Sequence, residues 1–155
     1  MTGAVRNRGV AIGLDARSSA GRPVLLATLD APLLAEASEM AVETALESGQ
    51  PLLVVNAVET ALTRWTLTFG HDYIAPPGVE ESLSAPAELA NGLGVQVERI
   101  RLRSPRPVDA LLELAAERGV GLFVLGADPN SMRRRRYRRS AKKIVERSPC
   151  LVWVA

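Results

Sequence analysis

An α/β sandwich, with a five-stranded parallel sheet and helices on both faces in three layers, is predicted by three observations. Apolar runs of strand length recur along the 155 residues and alternate with stretches of helical spacing. The runs are nearly continuous, the pattern of strands covered on both faces of a parallel sheet. Hydrophobic residues make up 47% of the chain but aromatic residues only 4%, so the interior is built from Leu, Val, Ile and Ala, as in layered α/β domains. This length is about one domain's worth of chain.

The elements follow in order. Residues 1–22 mix Gly, Ser, Arg and Asn around one short apolar patch, Val10 to Leu14, and read as a flexible extension before a domain spanning 23–155. Pro23 to Leu29 is the first strand, ending at Asp30. Pro32 suits the first turn of a helix, and Leu33, Leu34, Ala37, Met40, Ala41, Thr44 and Ala45 supply its apolar stripe up to the stop at Gly49. Glu36, Glu39, Glu43 and Glu47 form the opposite face and read as solvated. Pro51 to Val58 is a second buried strand, and the two strands joined by one helix make a right-handed βαβ unit.

From Glu59 to Pro86 the sequence reads as a long connection holding Trp65, Phe69, His71, Tyr73 and the breaker Pro76-Pro77-Gly78. A short helix is expected from Pro86 to Asn91, with Pro86 in its first turn. Val95 to Leu102 is a more polar third strand, placed at an edge and ended by Pro105 and Pro107. Val108, Leu111, Leu112 and Ala115 mark a helix closed by Arg118 and Gly119. Val120 to Leu125 is the fourth strand, running into Gly126. Tyr137, Ala141, Ile144, Val145 and Ser148 mark the last helix, which Pro149 ends before the final strand, Cys150 to Val154.

No apolar run reaches the length of a membrane span, and the N-terminus lacks a signal core, so a cytoplasmic location without membrane association is expected. The single cysteine, Cys150, excludes an intrachain disulfide and reads as a small buried hydrophobe. His71, the only histidine, has no metal-ligand company, and no serine lies in a G-x-S-x-G elbow. The sequence therefore shows no catalytic constellation, although a weak nucleotide hydrolase stays open as a rival.

Three segments, Val24 to Asp30, Pro51 to Val58, and Gly94 to the C-terminus, resemble the universal stress protein family. That family carries a strand followed by Gly-x-x-Gly, nine residues and Gly-Ser, then a helix and a Pro-Cys-Pro-type turn. The matching stretch here is VLGADPNSMRRRRYRRSAKKIVERSPCLVWV, with Ser148, Pro149 and Cys150 in the turn. The resemblance implies a flavodoxin-like sheet of the adenine-nucleotide α-hydrolase type, a stress-response or regulatory role, and a homodimer formed through the C-terminal strand region. It also implies, in one branch, bound ATP or a related nucleotide, with Mg2+ only alongside the nucleotide.

On this resemblance the ligand region comprises Leu29, Asp30, Ala57, Leu125, Gly126, Asp128, Pro129, Arg139 and Ser140. Asp30 matches an aspartate that contacts the adenosine end; it also suits a turn or capping role. Counted forward from Gly126, the second glycine falls on Pro129 and the Gly-Ser pair on Arg139 and Ser140. Counted back from Pro149-Cys150, the pair falls on Arg138 and Arg139. Pro129 removes an amide donor, and arginine replaces bare backbone.

Eight of the 19 Lys and Arg residues lie between Arg133 and Lys143, with no acid among them, although the net charge is only +2. Each arginine is a permanent cation suited to bidentate phosphate recognition. Three readings stand side by side: re-engineered binding of a small phosphate-bearing ligand, a solvated basic face, and a basic loop from Arg133 to Arg139 for nucleic acid or an acidic protein, with Tyr137 available for stacking.

Overall fold

The computed structural model describes residues 21–60 and 75–155. Its elements run β1 (Val24–Thr28), α1 (Ala35–Ser48), β2 (Leu52–Glu59), α2 (Val79–Gly92), β3 (Val97–Ser104), α3 (Pro107–Glu117), β4 (Leu122–Leu125), a 3-10 turn (Pro129–Ser131), α4 (Arg134–Arg147) and β5 (Leu151–Val154). All strand pairs are parallel, in the order β3-β2-β1-β4-β5. The winding direction reverses between β1 and β4, the point where ligands of open α/β sheets collect beyond the strands' carboxyl ends.

Alternation along the strands divides the core in two. Val24, Leu26, Val54 and Val124 face Ala37, Ala41 and Ala45 of α1 and Leu83, Ala87 and Ala90 of α2. Leu25, Ala27, Val55 and Phe123 face Leu111, Leu114 and Ala115 of α3 and Ile144 of α4. The sheet is thus covered on both faces, as its continuous apolar runs require. β3 lies at the edge, as its polarity predicts. Its Arg99 and Arg101 reach Glu80 of α2 at 3.1 and 2.9 Å, and Glu98 takes a two-pronged contact from Arg118 at 2.8 Å in both bonds.

Among the boundaries that differ from those expected of the sequence, β3 runs Val97–Ser104 instead of Val95 to Leu102 and β4 begins at Leu122 instead of Val120; three others have plain causes. The connection expected through Pro86 is helical from Val79, and Pro86 sits inside α2 instead of in its first turn. An interior proline costs about 3 kcal/mol in a helix; here Pro86 is itself buried, with Val79, Leu83, Ala87 and Ala90, and that apolar burial offsets the lost hydrogen bond. Pro32 lies before α1, because Leu33 bridges to Ala127, and the Leu34 N–H donates to the Gly126 carbonyl at 2.8 Å, keeping the chain extended to Leu34. α4 begins at Arg134, three residues before Tyr137, since arginine is a good helix former even where the apolar stripe has not begun. The expected flexible extension falls almost wholly on residues 1–20, and Trp65, Phe69, His71 and Tyr73 on 61–74; both lie outside the described residues.

The C-terminal strand is pinned at its end. Ala155 donates its N–H to the Leu125 carbonyl at 3.1 Å and accepts from the Tyr137 hydroxyl at 2.9 Å. Burial raises the Tyr137 phenol above its ordinary value, so it stays a donor across the physiological range. Tyr137→Phe is expected to lose about 1 kcal/mol of stability, the net worth of one such bond, read as a lower urea midpoint with unchanged slope.

Candidate functional site

The site is built where the strands end. At the end of β1 the chain turns through Asp30, which has φ 57, a left-handed conformation that aspartate tolerates better than most residues. Asn56 of β2, only 2% exposed, holds this turn: its Oδ1 accepts the Asp30 N–H at 2.8 Å and its Nδ2 donates to the Asp30 carboxylate at 3.3 Å. Asn56 belongs to no motif; the one signal for it in the sequence is a lone polar residue in an otherwise apolar strand.

The remaining predicted residues divide into three groups. Leu29, Ala57 and Leu125 are buried on the face that carries α3 and α4, with Met132 and Tyr137 packed against the same cluster. Asp128 turns its carboxylate on its own 3-10 turn, accepting from the Asn130 N–H at 2.9 Å and the Ser131 hydroxyl at 3.2 Å, with Pro129 as the turn's first residue. Arg139 and Ser140 lie on α4 and open on a cleft.

Two features of this region emerge only from the structure. Gly126 has no space for a side chain. A Cβ there would lie 2.9 Å from Leu33 Cδ2, 3.0 Å from Ala37 Cβ and 3.1 Å from Leu26 Cδ1, so the glycine admits α1 against the sheet. The arginines from Arg134 onward also do not form a loop; only Arg133, the residue flanking the helix, precedes its first turn.

The cleft that receives Arg139 and Ser140 has a volume of about 480 Å³, within the usual range for small-molecule sites. Its walls are the β3–α3 junction with the start of α3 on one side, α4 on the other, and Glu59 at the end of β2. Arg106, Arg136, Arg139 and Lys143 stand against Glu59 and Asp109, leaving a net charge of +2. Glu59 meets Arg136 at 3.6 Å, and Asp109 meets Lys143 at 2.6 Å. The hydrogen bond from Lys143 holds the Asp109 carboxyl below its ordinary value, with Arg106 and Arg147 adding to the pull. The sequence alone does not point to Arg106 or Glu59, because neither lies in a motif; the fold brings them to the cleft.

Two features of α4 favour an anion here. Its first turn contains arginines and no acid, and Arg133 provides no side-chain cap, so cations stand where the helix dipole is positive. Ser140 is only 8% exposed, yet its hydroxyl has no hydrogen-bond partner among the described residues. The hydroxyl opens on the cleft, where it is available to a ligand oxygen.

A doubly wound parallel sheet with a cationic cleft beyond its strand ends is the arrangement in which open α/β domains place ligand sites. The chain belongs to the universal stress protein family, whose family profile matches residues 21–155. Solved structures agree on the fold. A universal stress protein in complex with cAMP is 23% identical, with TM-score 0.58, over 86% of this chain and 95% of that one. The Archaeoglobus fulgidus universal stress protein in complex with dAMP is 18% identical, with TM-score 0.59, over 86% and 96%. A universal stress protein family member from Arabidopsis thaliana with AMP bound is 15% identical, with TM-score 0.55, over 86% and 90%. No curated protein matches the chain. Among the described residues, no helix is long and apolar enough to cross a membrane.

Proposed function

We propose that this universal stress protein is a regulatory nucleotide-binding protein whose ligand places its phosphate in the cleft between α3 and α4. The observation that carries the reading is the lining of net positive charge around the Ser140 hydroxyl, which opens on the cleft and has no hydrogen-bond partner among the described residues. Arg139 and Ser140 take the phosphate, and Leu29 and Asp30 beyond the end of β1, with Ala57 near the end of β2, stand on the adenosine side. Leu125, Gly126, Asp128 and Pro129 shape the β4–α4 connection. The nucleotides named for the related structures support ATP or a related nucleotide over a nucleotide-independent role for the arginine surface. Mg2+ enters only with a ligand that carries several phosphates.

Binding without turnover fits the site, where the Asp109 carboxylate is held by Lys143 at 2.6 Å. A cytoplasmic homodimer fits the outer edge of β5, whose sequence LVWV carries no charge to discourage strand pairing.

The test is equilibrium titration with AMP and ATP, with and without Mg2+, at physiological salt. Saturable binding is expected, weakened about tenfold or more in Arg139→Gln, the range for a charge-assisted hydrogen bond, and weakened also in Asp30→Ala. Absence of saturable binding, or variants that bind like the parent protein, would remove the assignment.

A further inference from the structure

We propose that the cleft selects a terminal phosphate over a cyclic phosphodiester, and that Arg106 makes the selection. The inference rests on the reading of the cleft as the ligand site and adds the class of ligand that it prefers.

α3 and α4 both follow strands of one parallel sheet and return along the same face, so their N-termini point the same way. The contact of 2.6 Å between Asp109 and Lys143 ties the two walls together. Arg106 precedes Asp109 by three residues and Arg139 precedes Lys143 by four, so each guanidinium begins about one helical turn nearer the mouth. Two arginines therefore rise on facing walls, and neither makes an ion pair among the described residues. The backbone N–H of Arg106 donates to Ser104 Oγ at 3.0 Å, which fixes where this side chain starts. The first amides of α3 beyond Pro107 add donors on the same wall.

Facing cations repel unless an anion lies between them, and the kind of anion decides how many of them it satisfies. A cyclic phosphodiester carries one charge and two free oxygens, enough for a single guanidinium fork. A terminal phosphate carries nearly two charges and three acceptor oxygens, so it can accept from Arg106 and Arg139 together while Ser140 donates a further bond. Asp109 is held by Lys143 and Glu59 lies near Arg136, and although Asp109 also attracts Arg106, the lining keeps a net charge of +2 for the anion.

The experiment compares AMP with cAMP, which share a nucleoside and differ at the phosphate. Titrations at matched ionic strength use the full chain, Arg106→Gln, Arg106→Lys and Arg139→Gln, each checked for an unchanged melting temperature. The parent protein is expected to prefer AMP by about tenfold, one charge-assisted contact's worth. Arg106→Gln should bring the ratio to about one by weakening AMP alone, and Arg106→Lys, which keeps charge but loses the fork, should fall between. Arg139→Gln should weaken both ligands. Equal affinities in the parent, or a preference that survives Arg106→Gln, would overturn the selection while leaving nucleotide binding intact. Failure of both ligands to bind would overturn the binding assignment and the selection with it.

Discussion

Gly126→Val is expected to destabilise the protein by about 3 kcal/mol, at the upper end for overpacking a filled core, and to lower the melting temperature by roughly 10 °C. The first added carbon already lies closer than carbon atoms normally approach one another. The Leu33 methyl can move, but Ala37 Cβ is fixed to α1 and has no rotamer to change. Relief would require α1 to leave the sheet, yet the Leu34 N–H is bonded to the Gly126 carbonyl and the Gly126 N–H to the Ala27 carbonyl at 2.9 Å. The family motif assigns the same glycine to ligand approach, and the two accounts separate experimentally. Urea unfolding shows the stability loss, whereas nucleotide affinity measured well below the melting temperature should change less than about threefold. A variant of normal stability with abolished binding would restore the ligand role of Gly126.

How much of this is legible in the sequence follows from what each element must bury. The central strands are readable because strands covered on both faces have no polar side, and β3 is readable as an edge because Arg99, Arg101 and Arg103 interrupt its apolar residues. α2 is obscured by Pro86: the spacing of Val79, Leu83, Ala87 and Ala90 is helical, but a proline within it argues locally for a break. Tertiary burial decides against the local rule. The start of α4 is obscured for the opposite reason, since a run of arginines has helical propensity but no apolar period to reveal it. Of the candidate site, Arg139 and Ser140 are found through a motif. Arg106 is not, because its role depends on α3 and α4 returning side by side, a fact of topology that no local spacing encodes.

Trp153→Ala should be the most damaging single truncation, costing about 4 kcal/mol in line with large-to-alanine changes of buried aromatics. Trp153 is 2% exposed and the largest of the fully buried side chains, which places it in the core. It stands opposite Val124 in the β4–β5 register, on the face shared with α1 and α2. β5 has only four residues and one neighbouring strand among the described residues, so this indole is its main anchor to the domain. Domains of this size hold about 5–15 kcal/mol in total, and the variant should unfold at much lower urea. If β5 also forms the dimer edge, the unfolding midpoint of the parent protein will rise with protein concentration. The variant's large loss should persist at every concentration, because it arises within the monomer; a loss that vanishes at high concentration would instead place the tryptophan's contribution in the contact between copies.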